Sequence, residues 1–398
     1  MTRLWDKGTP LDEHILKFTA GEDHHLDKRL VPYDIRGSVA HVRMLTKQGL
    51  VKKEDCKLIC TGLEALGLEH QQGEWSIDLE DEDVHTALES RLIDRIGPAG
   101  GRVHLGRSRN DQVLTAIRLY LKDALGFLAE GAANVAYALD RLARRQGEIQ
   151  LPGYSHMQPA MPSSVGLWAS GWATEFRDDE EGLTSAVRRA DINPLGSAAG
   201  YGPAGLELDR DVTRDELGFS RNHEPVTAVQ ISRGKAEATV VFEISLLLGD
   251  LGRLASDLLL FYTKEFGFVS LSEKITTGSS IMPQKRNPDV FELVRSAPAV
   301  GMGALMEVLS ITKSLGSGYQ RDLQRLKAPL FRSIDLAEDT ALVMSHALEG
   351  VQFQADRIVL GEELLAAERA SQLALKKGIP FREAYRTIAA ELNGKLET

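Results

Sequence analysis

Apolar residues recur at steps of three, four and seven through the middle of the chain. From Leu114 to Leu142 this spacing continues for more than twenty-five residues without a proline. The spacing places the apolar side chains on one face of an α-helix and predicts a long bundle helix. Four more long helices are predicted by the same spacing, at about residues 168–187, 235–261, 288–309 and 330–348.

Five long helices joined by short polar loops form a bundle, and no convincing alternating strand pattern occurs in the first 105 residues. The predicted fold class is therefore all-α. We predict a mostly helical N-terminal domain at 1–105, a central five-helix domain at 106–350 and a short helical C-terminal domain at 351–398.

The fourth long helix has a predicted start and a predicted core face. Asn287 suits the N-cap, and Pro288 suits the first helical position, where a missing N–H costs nothing. The apolar stripe of this helix, like those of the other four, is expected to lie in the core; it consists of Leu293, Val300, Met306 and Leu309.

Composition excludes several classes of protein. The net charge of −10 over 398 residues argues against general nucleic-acid or anionic-membrane binding. No signal segment or apolar run of membrane-spanning length is apparent, and the two cysteines, Cys56 and Cys60, suit buried free thiols in a reducing cytoplasm. Ten scattered histidines give no metal-binding spacing, so no metal is expected. No dinucleotide-binding or P-loop motif appears, so no cofactor is expected either.

A polar loop at residues 276–288 separates two of the predicted long helices. It contains Gly278 as a hinge, the hydroxyl of Ser279 and the cation of Lys285. An ordinary Gly/Ser/Pro turn would explain part of this composition. The alternative is an active-site loop, in which a fixed cation stabilises the charge left when a proton leaves a carbon next to a carboxylate. Ser279 can accept that proton only if its hydroxyl is acidified.

Two further polar segments precede long helices. The first, residues 106–112, offers Ser108, Arg109 and Asn110 either as a capped helix start or as a binding turn for carboxylates, and the residues alone favour neither. The second, residues 152–159, is predicted to be a loop with Ser155 and His156 between two prolines. A lone histidine is more often structural, but this side chain is the one best able to exchange a proton near neutral pH.

The run Gly-Ser-Ser-Ile-Met-Pro-Gln-Lys-Arg-Asn-Pro at 278–288 resembles the signature of the fumarase/aspartase lyase superfamily. Within it, Gln284 and the segments 82–85, 106–112, 152–158, 194–197 and 319–324 are similar to those of the argininosuccinate lyase family. That resemblance implies a three-domain all-α subunit and a homotetramer with a twenty-helix core. It also implies active sites built from three subunits and cleavage of argininosuccinate to arginine and fumarate without a cofactor.

The same resemblance implies roles for individual residues. Ser279 would be the base. His156, held by Glu292, would be the acid or proton relay, although the sequence alone would also allow these two residues to exchange roles. Lys285 and Asn287 would hold the substrate carboxylate. The other implied substrate-binding residues are Ser108, Arg109, Asn110, Ser155, Tyr319, Gln324 and Lys327, with His85 lining the site.

Three features depart from that family. Phe18-Thr19-Ala20-Gly21 lacks the serine expected after the phenylalanine, Ser155 stands where threonine is usual, and the segment after Val351 is short. Two alternatives stay open: adenylosuccinate lyase, favoured by the run 285–287, and a non-catalytic relative of the crystallin type.

Overall fold

The structure is a computed structural model that describes residues 12–396. These residues are predominantly α-helical, which confirms the predicted fold class. The α-helices of this range are α1 (Glu13–Ala20), α2 (Asp23–Leu26), α3 (Val31–Lys47), α4 (Lys53–Gln71), α5 (Val84–Ile96), α6 (Arg109–Gln146), α7 (Val165–Ala190), α8 (Arg210–Leu217), α9 (Thr227–Ile231), α10 (Lys235–Tyr262), α11 (Asp289–Thr312), α12 (Lys327–Glu349), α13 (Ala366–Lys377) and α14 (Phe381–Leu396).

Three small two-stranded sheets accompany the helices. The strands are β1 (Gln150–Ser155), β2 (Gln158–Ser164), β3 (Ile192–Asn193), β4 (Arg221–Asn222), β5 (Val269–Leu271) and β6 (Val351–Phe353). β1 pairs with β2 and β5 with β6, both antiparallel, whereas β3 and β4 are parallel.

The five predicted long helices are α6, α7, α10, α11 and α12. In α6 and α10 the predicted apolar stripes are buried, as Leu121 and Leu139 show for the first and Ile244 and Leu254 for the second. Burial of these aliphatic side chains, each about 1.5–3 kcal/mol, is what stabilises such long helices.

The predicted core face of α11 is wrong for the single chain. Leu293 is 72% exposed and Met306 63%, and Val300 and Leu309 are exposed as well. A different apolar face is buried instead, and it consists of Phe291, Val294, Ala297, Ala304 and Val308. Because α11 is apolar on two sides, its periodicity alone does not indicate which side one subunit covers.

The start of α11 also differs from the prediction. The helix begins at Asp289, and the carbonyl oxygen of Pro288 accepts hydrogen bonds from the N–H groups of Phe291 and Glu292. Pro288 therefore occupies the capping position that was predicted for Asn287. Asn287 instead forms a backbone bridge with Thr277.

Residues 150–164, predicted to include a loop, form a β-hairpin. Its two-residue turn is His156-Met157, with φ of 52° and 60°. Positive φ at both turn positions matches the right-handed twist of the strands. The prolines are tolerated because both strands of a two-stranded sheet are edges, and Pro152 and Pro162 oppose one another.

The chain packs as two compact units. One contains the described residues up to Ala129 together with Glu181–Leu246 and Ala299–Ala337. The other contains Glu130–Glu180, Leu247–Pro298 and the residues from Glu338 onward. The three-domain division stays a prediction.

By length and composition, one helix of the described chain could cross a membrane: α11, with 24 residues. By this criterion of length and composition, the expectation that no apolar run approaches membrane-spanning length is wrong. Core helices of soluble proteins pass the same test, so the finding is weak evidence for a span.

Candidate active site

One cleft in the first unit brings together six of the predicted site residues. It has a volume of about 150 Å³. Its lining includes His85, Arg109, Asn110, Tyr319, Gln324 and Lys327. Residues far apart in the sequence therefore form one polar pocket, as the predicted binding segments require.

His85 is fixed by a buried carboxylate. It lies on α5, which Asp83 caps by accepting a hydrogen bond from the N–H of Thr86 at 2.9 Å. The ring Nδ1 is hydrogen-bonded to Asp34, while Nε2 is buried and has no hydrogen-bond partner within residues 12–396. Burial opposes the charged ring, but Asp34 and Asp83 outweigh burial and raise the pKa of His85. The cleft thus contains a buried ring nitrogen, the Nε2 of His85, that is left for a ligand.

Arg109 is positioned by acidic neighbours. Its Nη2 donates to Asp83, and the Oε2 of Glu82 lies 3.7 Å from the same nitrogen. Burial alone would raise the pKa of Asp83, but His85 and Arg109 lower it to about 2. Asp83 therefore stays ionised and fixes the guanidinium at the cleft.

Lys327 is buried and bound by two carboxylates. Its Nζ lies 2.6 Å from Asp27 and 3.0 Å from Asp23. Gln324 donates to the carbonyl oxygens of Thr19 and Ala20. Both residues therefore fasten the segment 19–27 to the cleft, and a role in binding substrate stays a prediction for them.

The sequence analysis missed four residues that line the same cleft: Asp23, Val113, Arg233 and Arg321. Arg233 is the most informative of them, because its side chain is buried and its Nε and Nη1 have no hydrogen-bond partner within residues 12–396. Its guanidinium carbon lies 6.0 Å from the ring centre of Tyr319. A charged residue directly before a long helix was the available signal, as it was for residues 106–112.

Ser108 and Asn110 belong to a rigid turn. The Oγ of Ser108 accepts from the N–H of Asn110, and buried Asp111 accepts from the N–H of Ser108 at 2.9 Å. The other oxygen of Asp111 accepts from the N–H groups of Gly196 and Ala198. The small-residue turn at 194–200 therefore approaches this segment through its backbone. Ser108 itself does not line the cleft.

The second unit contains the 276–288 loop. Thr277 and Asn287 exchange two backbone hydrogen bonds of 3.0 and 2.8 Å, and the amide of Asn287 donates to the carbonyl oxygen of Gly278. The loop is thus closed at its base, and Ser279 and Lys285 lie within the closed segment.

Backbone N–H groups hold the hydroxyl of Ser279 in this loop. Its Oγ accepts hydrogen bonds from the N–H groups of Ile281 at 3.3 Å and Met282 at 3.1 Å. Two donors directed at one oxygen stabilise its deprotonated form.

Lys285 supplies a cation in the same loop as Ser279. It is exposed and has no carboxylate within ion-pair distance among the described residues, whereas its neighbour Arg286 is paired with Glu273 at 2.9 Å. Of these two adjacent cations, Lys285 is therefore the one left to bind a ligand.

His156 lies at the exposed tip of the β1–β2 hairpin, with Ser155 beside it. Within the described residues of this chain no hydrogen bond or ion pair joins His156 to Glu292, which is exposed near the start of α11. The single chain therefore does not form the predicted pair. Pairing between subunits stays a prediction.

Within residues 12–396 no group of three or more His, Cys, Asp or Glu side chains is placed to hold a metal ion.

Comparison with known proteins identifies the family to which this fold and cleft belong. A family described as lyase matches residues 9–303, so the chain belongs to that family. The chain is 46% identical to argininosuccinate lyase of Sorangium cellulosum (strain So ce56), over 98% of this chain and 90% of the relative. Within the lyase family it belongs with the argininosuccinate lyases.

A second relative supports this assignment, and a solved lyase structure supports the fold. Argininosuccinate lyase of Thermotoga neapolitana is 40% identical over 97% of this chain and 97% of its own length. The crystal structure of EDDS lyase in complex with formate is 26% identical, with a TM-score of 0.83, over 98% of this chain and 77% of that one.

Proposed function

We propose that this protein cleaves argininosuccinate reversibly to L-arginine and fumarate, as a cytoplasmic enzyme of arginine biosynthesis that needs no cofactor. The similarity to enzymes named argininosuccinate lyase supports the substrate. The observation that supports the reaction type is Ser279, whose Oγ accepts from two backbone N–H groups in the loop that contains unpaired Lys285.

The proposed reaction begins at the carbon next to a carboxylate of the succinyl group. Ser279 removes a proton from this carbon, and the electron pair moves onto the carboxylate. Lys285 and Asn287 bind that carboxylate while it has two negative charges. The electron pair then forms the carbon–carbon double bond of fumarate, and the bond to the guanidinium nitrogen breaks. The departing nitrogen receives its proton through His156.

The cleft of the first unit supplies groups for the rest of the substrate. Arg109, Asn110, Tyr319 and Gln324 present a guanidinium, two amides and a phenol to one cavity, and a substrate with three carboxylates needs such donors. Ser108, Ser155, His85 and Lys327 complete the proposed binding set, and Glu292 is the proposed partner of His156.

We also propose a homotetramer with active sites shared between subunits. Contiguous apolar surface marks interaction sites, and α11 exposes such a face in the single chain. Together, α11 and several other long helices expose large apolar side chains. They include Phe127, Leu246, Leu293, Met302, Met306 and Leu342.

The test is fumarate release, followed by ultraviolet absorbance, from purified protein given argininosuccinate and adenylosuccinate separately. Release from argininosuccinate alone is expected. Release from adenylosuccinate alone would overturn the proposed substrate, and no release from either would indicate a non-catalytic relative.

A further inference from the structure

A second cleft in the first unit is strongly basic and shares no lining residue with the candidate active site. Its volume is about 520 Å³, within the range of small-molecule sites. Five cationic residues line it: Arg118, Arg188, Arg189, Arg221 and Lys235. In a chain of net charge −10, such a concentration of positive charge requires an explanation.

Arg118 is buried in this cleft without a carboxylate partner. Its guanidinium donates only to uncharged acceptors: the carbonyl oxygen of Ile192, the Nδ1 of His223 at 3.2 Å and the Oγ of Ser232 at 3.0 Å. Its Nε is buried with no hydrogen-bond partner within residues 12–396. The buried carboxylate of Glu237 favours this charge through space but forms no ion pair with Arg118 within residues 12–396, so a bound anion would stabilise the buried guanidinium further.

The remaining cations are exposed. Arg188, Arg189, Arg221 and Lys235 form no ion pair within residues 12–396, and the lining contains one carboxylate, that of Glu243. They come from three elements: the end of α7, β4 and the start of α10. Burial and the neighbouring cations lower the pKa of His223 to about 4. The imidazole is therefore neutral at pH 7 and adds no charge.

We propose that this basic cleft binds an anion with two or more phosphate groups. Guanidinium groups form paired, charge-assisted hydrogen bonds with phosphate oxygens. Cations from three separate elements are suited to a ligand that presents several phosphate oxygens at once. The site is independent of the proposed lyase reaction, because none of its residues belongs to the catalytic set.

Titration calorimetry with inorganic pyrophosphate at fixed ionic strength tests the proposal on the intact protein. We expect one saturable site per chain. The double variant Arg189→Glu/Arg221→Glu should weaken binding by about 100-fold or more, since two charged contacts are reversed. The control Arg144→Glu/Lys274→Glu changes the net charge equally at exposed residues outside the cleft and should keep the affinity.

Three results would overturn the proposal. One is the absence of saturable binding at millimolar pyrophosphate. Another is equal weakening in the two double variants, which would indicate non-specific attraction. The third is loss of binding in Lys285→Ala, which would place pyrophosphate in the substrate site. If the double variant does not fold, Arg221→Gln should still weaken binding several-fold, and unchanged affinity in that variant would also overturn the proposal.

Discussion

Lys285 and Arg286 are adjacent, but their side chains have different surroundings. The guanidinium of Arg286 is paired with Glu273, whereas the ammonium of Lys285 has no carboxylate within ion-pair distance in the described chain. In the same loop, Ser279 accepts from two N–H groups. These surroundings distinguish the proposed catalytic residues from neighbours of the same chemical type.

For this reason Ser279→Ala should lower kcat by about 10²–10⁴-fold, the usual contribution of a general base, while leaving the oligomeric state unchanged. The matched control is Ser280→Ala, which removes the adjacent hydroxyl. Steady-state rates of fumarate release measure both variants. Near-normal turnover of pure Ser279→Ala would exclude this serine as the base.

A second prediction at this scale concerns pH. The pKa of His85 in the folded protein is raised above its ordinary value of 6.5. Its contribution to stability is therefore full below pH 6.5 and is lost as pH rises through the raised pKa. Asp83 acts in the opposite direction: its contribution is present above pH 3.8 and is lost as pH falls through about 2.

In His85→Gln the titrating imidazole is gone. The free energy of unfolding of this variant should therefore no longer fall as the pH rises on the alkaline side. Because the substitution breaks a buried pair with Asp34, it should also cost about 3–5 kcal/mol at pH 6. Urea unfolding at several pH values measures both effects, with exposed His346→Gln as the control. If the free energy of unfolding of His85→Gln still fell with pH as in the unmodified protein, this would contradict the raised pKa of His85.

At the scale of elements, the 276–288 loop depends on contacts at its base. The Thr277 hydroxyl donates to Asp289 at the start of α11, and the Thr277 backbone pairs with Asn287. The reactive groups lie between these two anchors.

Thr277→Val keeps the shape of the side chain but removes the hydroxyl contact. We expect faster amide exchange at residues 278–286 and a kcat lowered by about tenfold, because a mobile loop loses catalytic geometry. Thr276→Val is the control, since the Thr276 hydroxyl has only a 3.4 Å contact with the Glu273 carbonyl. Exchange rates equal to those of the control would show that the hydroxyl does not hold the loop.

Hydrophobic periodicity predicted some of these elements correctly and missed others. Periodicity located α6 and α10 and their buried faces. It did not find the hairpin, because residues 150–164 contain three prolines and a His-Met turn in place of the Asn-Gly pair that usually indicates one. Periodicity also indicated the wrong face of α11 as the one buried in a single chain, since both faces are apolar.

For the candidate site, six residues that the sequence motifs indicated line one cleft, and their roles stay predictions. The contacts that position them were not predictable, because Asp34, Asp83 and Asp111 act through distant partners. Arg233 was missed because its only signal in the sequence, a charged residue just before a long helix, is shared by many other charged residues.

At the scale of the whole molecule, the exposed apolar face of α11 is the strongest indication of assembly. A membrane and a subunit interface are the two environments that would cover it, and the proposed homotetramer uses the second. Met306→Asp tests this choice by placing a charge on that face, where Met306 is 63% exposed.

Met306→Asp should shift the protein to smaller species in light scattering and lower turnover by more than tenfold, because a buried unpaired charge is unfavourable at an interface. Leu68→Asp makes the same change on α4, at a residue 59% exposed, and should do neither. A fully assembled Met306→Asp would place the interface elsewhere.

The two-residue turn at His156-Met157 limits how this protein can evolve. Alternation of side chains along a strand means that one inserted or deleted residue in β1 or β2 turns every following side chain to the opposite face. Substitutions along the hairpin are therefore easier to accept than changes in its length. If His156 acts as proposed, we expect related genes to accumulate insertions and deletions in neighbouring loops rather than between Pro152 and Pro159.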